Sequence, residues 1–154
     1  MTQILIASDH AGFELKKQVI EALKVELKDC DIKDFGPANL DSVDYPDFAD
    51  KVCLEMKSHS ESGIQLTVFG ILICGSGQGM AMRANKHPHI RAALVYSDEI
   101  TSLTREHNNA NIICLGSRFC TLEQALKWIH IFKKTAFAGG RHQTRVAKLC
   151  SSIS

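Results

Sequence analysis

Apolar and polar positions along this chain follow two periods that alternate from one end to the other. Ile4-Leu5-Ile6-Ala7 is a short continuous apolar run, the pattern of a buried strand, and Ser8-Asp9-His10-Ala11-Gly12 ends it. From Phe13 the apolar residues Leu15, Val19, Leu23 and Leu27 recur every fourth position, with Lys16, Lys17, Glu21 and Lys24 between them. That spacing predicts an amphipathic helix. Asp31 to Phe35 alternates like a strand, and Gly36-Pro37 stops it. Asp41 to Pro46 reads as a loop, followed by a helix over about Asp47 to Lys57. The polar stretch from Ser58 to Thr67 reads as an irregular connection.

The second half repeats the alternation. Val68 to Cys74 is a continuous apolar run suited to the middle of a parallel sheet. A helix is expected over roughly Met80 to Asn85, then a strand from Arg91 to Tyr96. Ser97-Asp98-Glu99 supplies an N-cap and an acidic first turn for a helix running toward Asn108. Asn111 to Leu115 reads as a fifth strand and Leu122 to Lys134 as a helix. Gly139-Gly140 breaks the chain before a short basic helix. Five strands separated by helices predict an α/β protein: a three-layer Rossmann-like or flavodoxin-like sandwich, its five-stranded parallel sheet covered on both faces, with a C-terminal helical extension. The 154 residues suit a single domain over 1–154, without an internal repeat.

Composition narrows the function classes. The net charge is +1 with histidines neutral, so nothing favours nucleic acid or a membrane surface as a partner. Met1-Thr-Gln runs directly into the first apolar segment, and no apolar run approaches the length of a membrane span. The six cysteines form no CxxC pair and no zinc-finger spacing, so free thiols in a reducing cytoplasm are the expectation. Cys30, Cys53, Cys114, Cys120 and Cys150 read as small core residues. His87 and His89, flanking Pro88, read as a surface loop and not as a metal pair.

The chemistry concentrates where strands end. In such sheets ligands bind at the carboxyl ends of strands, and Asp9, His10, Cys74, Ser76 and Ser97 all fall there. Gly75, Gly77 and Gly79 alternate between a strand and a helix, so successive amides can converge on an anion. A tight turn without a ligand remains the plainer reading of the glycines alone. Met80 stands where a dinucleotide fingerprint needs its third glycine and where a cysteine phosphatase needs its arginine, and the glycines do not fit a P-loop. Cys74 therefore sits beside convergent amides, surroundings that favour a thiolate able to act as nucleophile or general base. Arg141 and Arg145 share a helical face and could clamp one phosphate, or form a solvated basic tail. His107, at a helix end, could equally be an exposed cap.

Taken in order, several motifs resemble the B-type ribose-5-phosphate isomerases, in the family that includes the galactose-6-phosphate isomerase subunits. They are Ser8-Asp9-His10-Ala11-Gly12, Asp44-Tyr45-Pro46-Asp47, Cys74-Gly75-Ser76-Gly77-Gln78-Gly79, Ala84-Asn85-Lys86 and Ile90-Arg91-Ala92-Ala93. His107-Asn108 with Asn111, Leu115-Gly116-Ser117-Arg118, and Gly140-Arg141-His142 with Arg145 complete the set. The resemblance covers nearly the whole chain. It implies an aldose–ketose isomerase of the pentose phosphate pathway, interconverting D-ribose 5-phosphate and D-ribulose 5-phosphate through an enediol(ate) without metal or cofactor. It casts Cys74 as the base, Ser76 as its hydrogen-bonding aid, the Gly75, Gly77 and Gly79 amides as oxyanion donors, and His107 as the ring-opening group. Asp9, Tyr45 and Asn108 become sugar contacts, and His10, Arg118, Arg141 and Arg145 phosphate ligands. It further implies sites shared between subunits of a homodimer or dimer of dimers, with the tail from about 139 to 154 contributing. Arg83 departs from the small apolar residue common at its place. The alternatives are a six-carbon substrate, such as galactose or allose 6-phosphate, or a phosphate-binding regulatory module without turnover.

Overall fold

A computed structural model describes residues 1–59 and 65–153. Five strands alternate with helices: β1 (Thr2–Ser8), α1 (Phe13–Glu26), β2 (Cys30–Asp34), α2 (Tyr45–Met56), β3 (Val68–Cys74), α3 (Gln78–Ala84), β4 (Ala92–Leu94), α4 (Asp98–Glu106), β5 (Ile112–Gly116) and α5 (Leu122–Lys134). A last helix, α6 (Arg141–Leu149), follows the Gly139-Gly140 break. All strand pairs are parallel, in the order β2-β1-β3-β5-β4.

The periodicities in the sequence are the cause of the layering. Alternate residues of the central strands point to opposite faces, so two cores form. Ile4, Ile6, Ile71, Ile73, Ile113 and Leu115 pack beneath α1 and α5, against Val19, Leu23, Trp128 and Phe132. Leu5, Ala7, Leu72, Cys74 and Cys114 pack on the other face, beneath Val52 and Cys53 of α2 and Met80 and Ala84 of α3. The expected three-layer sandwich is what forms. The chain leaves β1 for β2 on one side and returns to β3 on the other. The sheet therefore has its topological switch point between the carboxyl ends of β1 and β3, where ligands bind in such folds.

Several boundaries differ from expectation for local reasons. α2 begins at Tyr45, because Pro46 in its first turn is pre-set for helical φ. α3 begins at Gln78, two residues early, since Gly77 at φ 76° lets the chain turn directly into it. β4 is cut to Ala92–Leu94. There the Asn85 side chain donates to the Ala92 carbonyl at 2.9 Å and accepts its amide at 2.8 Å, standing in for a neighbouring strand at the sheet edge. The predicted N-cap at Ser97 forms, its Oγ accepting the Ile100 amide at 3.2 Å. The irregular connection expected over 58–67 lies outside the described residues at 60–64. Thr67 just after it accepts the Gln3 amide at 2.8 Å.

The cysteines divide more finely than expected. Cys53 and Cys114 are buried, and burial pushes the Cys53 thiol up to about 12 and the Cys114 thiol well above its ordinary value. Cys30 and Cys120 are only half-buried, at the margin of the α1–α5 core. Cys150 is half-exposed, and its sulfur accepts from Arg91 Nη1 at 3.2 Å, so it belongs to the tail and not to the core. Arg83 is accommodated because Asp50 of α2 faces it and takes Nε and Nη2 at 2.8 and 2.7 Å. His87 and His89 turn their Nε2 atoms to Asp50 and to the Cys53 carbonyl, at 2.8 and 2.7 Å, and are half-buried, not free on a loop.

Candidate active site

Three turns at the carboxyl ends of β1, β3 and β5 are laced together. The Asp9 amide donates to the Ile73 carbonyl at 3.1 Å, the Ser117 amide to the Cys74 carbonyl at 2.9 Å, and the Arg118 amide to the Gly75 carbonyl at 3.1 Å. Ser117 Oγ closes the circuit by donating to the Ala11 carbonyl at 2.9 Å. Such lacing fixes the relative places of side chains that are far apart in sequence.

Cys74 is the last residue of β3 and is 5% exposed. The Gly77 amide donates to its sulfur at 3.2 Å. That contact requires the left-handed backbone at Gly77, and a Cβ there would also fall 2.5 Å from Leu94 Cδ1. Ser76 is exposed beside it and its Oγ accepts the Gln78 amide at 3.4 Å. α3 has only seven residues, so the donors the site offers are the amides of the turn and first helical turn, more than any long macrodipole.

The flanking side chains close around this turn. Tyr45, at the start of α2, lies on Gly79 so tightly that a Cβ at that position would be 2.5 Å from the ring. The Arg118 guanidinium lies across Gly75, 3.2 to 3.4 Å from where a side chain there would begin. Asp9 is 7% exposed and one carboxylate oxygen accepts the Gly12 amide at 2.9 Å. His10 Nδ1 accepts the Val43 amide at 3.2 Å. In the neutral ring that contact leaves the proton on Nε2, so His10 offers an N–H donor. The loop before α2 is thereby tied to the site. Asp34 accepts Lys16 Nζ at 2.7 Å, Lys16 also holds the Pro37 carbonyl at 2.9 Å, and so the start of the same loop is tied down.

Nine of the expected site residues are thus gathered at one edge of the sheet: Asp9, His10, Tyr45, Cys74, Gly75, Ser76, Gly77, Gly79 and Arg118. The remaining four are not. α4 starts at the carboxyl end of β4 and runs back, so His107, its C-cap, and Asn108 lie at the amino edge. Asn108 lines a recess of about 390 Å³ there with Ile90, Arg91, Ala92 and Leu149. The Asn111 carbonyl pairs with the Gly70 amide, four residues before Cys74, which is about 13 Å along the strand. Arg141 and Arg145 sit on α6 as expected, both exposed, at this same far edge. The link is His142, whose ring stacks on His107 with centroids 4.3 Å apart and planes 18° from parallel. In one chain the thirteen expected residues thus fall into two groups at opposite ends of the sheet.

Sequence reading did not find the Val43 contact to His10, the Ser117 hydroxyl or the His142 stack. Each joins segments distant in sequence, and no local pattern signals them.

Fold and side chains together define an α/β protein of Rossmann-like layers, with a cysteine and glycine turn at its switch point and a basic, histidine-bearing lobe at the other end. The profile of the Ribose/Galactose Isomerase family matches residues 4–149, and the chain belongs to that family. It is 46% identical over 147 residues to the probable ribose-5-phosphate isomerase B of Mycoplasma genitalium, covering 95% of this chain and 92% of that one. The ribose-5-phosphate isomerase B of Escherichia coli is 36% identical, over 95% and 93% of the two chains. A crystal structure of the Mycoplasma genitalium enzyme with bound ribulose-5-phosphate superposes with a TM-score of 0.88, at 45% identity over 97% of this chain and 94% of that one.

Proposed function

We propose that this chain interconverts D-ribose 5-phosphate and D-ribulose 5-phosphate through an enediolate, as a cytoplasmic step of the pentose phosphate pathway. The observation that carries the reading is Cys74, seated at the switch point under the Gly77 amide and ringed by Asp9, His10, Tyr45 and Arg118. The relative solved with ribulose-5-phosphate supports the substrate. Among the described residues no helix is long and apolar enough to cross a membrane, and all six cysteines are unpaired, which supports a reducing compartment.

Isomerisation needs a base, donors for a developing oxyanion, and an anchor for the phosphate. Cys74 takes the proton from C2 of the open aldose. The electron pair moves into the C1–C2 bond and the charge onto O1, where amides of the turn from Gly75 to Gly79 stabilise it. Ser76 hydrogen-bonds beside the base. Return of the proton to C1, with the hydroxyl proton passing from O2 to O1, gives the ketose. Asp9, Tyr45 and Asn108 hold sugar hydroxyls. His107 opens the furanose ring. His10, Arg118, Arg141 and Arg145 bind the phosphate.

The two half-sites give the assembly its rationale. A second copy related by a twofold axis, its sheet running the other way, brings one chain's His107, Asn108, Arg141 and Arg145 to the other's Cys74. A homodimer then has two complete sites and a lone chain none; a dimer of dimers repeats the arrangement.

Replacing Cys74 with alanine tests the assignment. Turnover of ribose 5-phosphate is expected to fall by about 100-fold or more, the scale of losing a general base, with thermal unfolding nearly unchanged. Isomerisation within a few-fold of the wild type would remove Cys74 from the role.

A further inference from the structure

The stacked pair on α4 and α6 has a structural logic of its own. Among the described residues the hydrogen bond that holds His107 is at its backbone, where its amide donates to the Leu103 carbonyl at 2.9 Å. Its side chain, at a helix end, has two free torsions, and a group that must deliver and collect a proton needs a fixed ring plane. The contact that fixes that plane is the face of His142 at 4.3 Å and 18°. The backbone that carries His142 is fixed, and stacking restrains the two rings together. His142 is the second residue of α6, its amide donates to the Gly139 carbonyl at 3.0 Å, and the segment before it is pinned by the Ala138 amide on the Glu106 carbonyl, also at 3.0 Å. Beneath, the buried Arg105 side chain holds Asn109 Oδ1 and the Ala110 and Thr135 carbonyls, locking the turn after His107 to the chain that leads into α6.

We propose that His142 is a positioning residue for His107: its ring is the platform that sets the aim of the ring-opening imidazole and joins it to the arginine clamp on the same helix. The inference rests on the isomerase reading above, which supplies the role of His107. Charge agrees with the geometry. Burial, the neighbouring His107, and then Arg141 and Arg145 hold the His142 imidazole below the ordinary histidine range. The neutral ring of His142 is thereby favoured, which suits a flat surface against which another ring stacks. Because Arg141 precedes it and Arg145 follows within one helical turn, a phosphate on the clamp and the aim of His107 are fixed by the same backbone.

The two substrates separate this role from general support of the site. Ribose 5-phosphate exists mainly as a closed furanose and must be opened. Ribulose 5-phosphate has its C5 oxygen esterified and cannot close a five-membered ring, so removal of its C1 proton needs no opening. With His142→Ala, kcat on ribose 5-phosphate is expected to fall about tenfold, part of the range for impaired acid–base catalysis, with KM changed less than about twofold. Exchange of the ribulose 5-phosphate C1 proton with D2O, followed by NMR, should stay within about twofold of the wild type. His142→Phe keeps a flat ring and should recover most of kcat. The proposal is overturned by a wild-type kcat in His142→Ala, by an equal loss of turnover and exchange, or by a phenylalanine variant no better than alanine. If the unmodified protein neither converts ribose 5-phosphate nor exchanges the ketose proton, it is the isomerase reading that fails.

Discussion

An alanine at position 79 would set two effects against each other. Gly79 lies inside α3, where alanine is intrinsically favoured over glycine by about 1 kcal/mol. The added methyl, however, would meet the Tyr45 ring at 2.5 Å, and Tyr45 is the flexible side that must give way. The helix gains what the tyrosine seat loses, so stability should change little. If Tyr45 holds a sugar hydroxyl as proposed, function should change more. Gly79→Ala is expected to leave the melting temperature within about 3 °C of the wild type while raising KM for ribose 5-phosphate about tenfold, the effect of losing one hydrogen bond. A melting temperature lowered by far more, with KM unchanged, would show that Gly79 serves packing alone. Gly77 differs. Its φ of 76° strains any side chain, and although Leu94 Cδ1 could shift, the Leu115 backbone 3.0 Å from a Cβ could not.

Among the helices, α2 and α3 are clipped together by Asp50, which takes both Arg83 and His87. The Arg83 hydrogen bonds, with His87, hold the Asp50 carboxyl below the usual carboxylate range against the opposing effect of burial. A carboxyl depressed in the folded state stabilises at pH above its ordinary value near about 4, and that stability is lost as pH falls through the folded value. Arg83 is 45% exposed, so the clip is worth little more than a surface pair. Asp50→Asn should lower the melting temperature by no more than about 3 °C at pH 7, and the difference should shrink toward pH 3. Equal differences in melts at both pH values would mean that the carboxylate charge is not what joins the helices. The same helices show what sequence pattern conveys about elements. β3 and α5 fall residue for residue where the apolar run Val68 to Cys74 and the periodicity from Leu122 place them. β4 does not: it ends at Leu94 although the Val95 amide still donates to the Cys114 carbonyl at 3.2 Å, and its outer edge at Ala92 is taken by the Asn85 side chain, a contact that hydrophobic period cannot report.

Over the whole molecule, legibility divides along the same line as the site. The Cys74 half was readable because strand ends, glycines and a cysteine are neighbours in sequence, and topology merely gathers three such turns. The other half was readable as residues but not as a place. That His107, Arg141 and Arg145 lie at the opposite end of the sheet follows only from α4 running antiparallel to the strands and α6 stacking on its end through His142. Separation of the halves makes a sharp prediction about assembly. A Cys74→Ala chain keeps an intact basic lobe, and a His107→Ala chain keeps an intact cysteine turn. If sites are completed by a partner, each variant alone is nearly inactive, but a mixed dimer carries one site with both halves native. In an equal mixture after subunit exchange, half the dimers are mixed and half the sites in each are whole. Activity should therefore return to roughly a quarter of the wild-type level per subunit, and light scattering should show at least a dimer. If each chain completed its own site, every site in the mixture would carry one of the two lesions. Activity would then stay at the level of the separate variants however long the subunits were left to exchange.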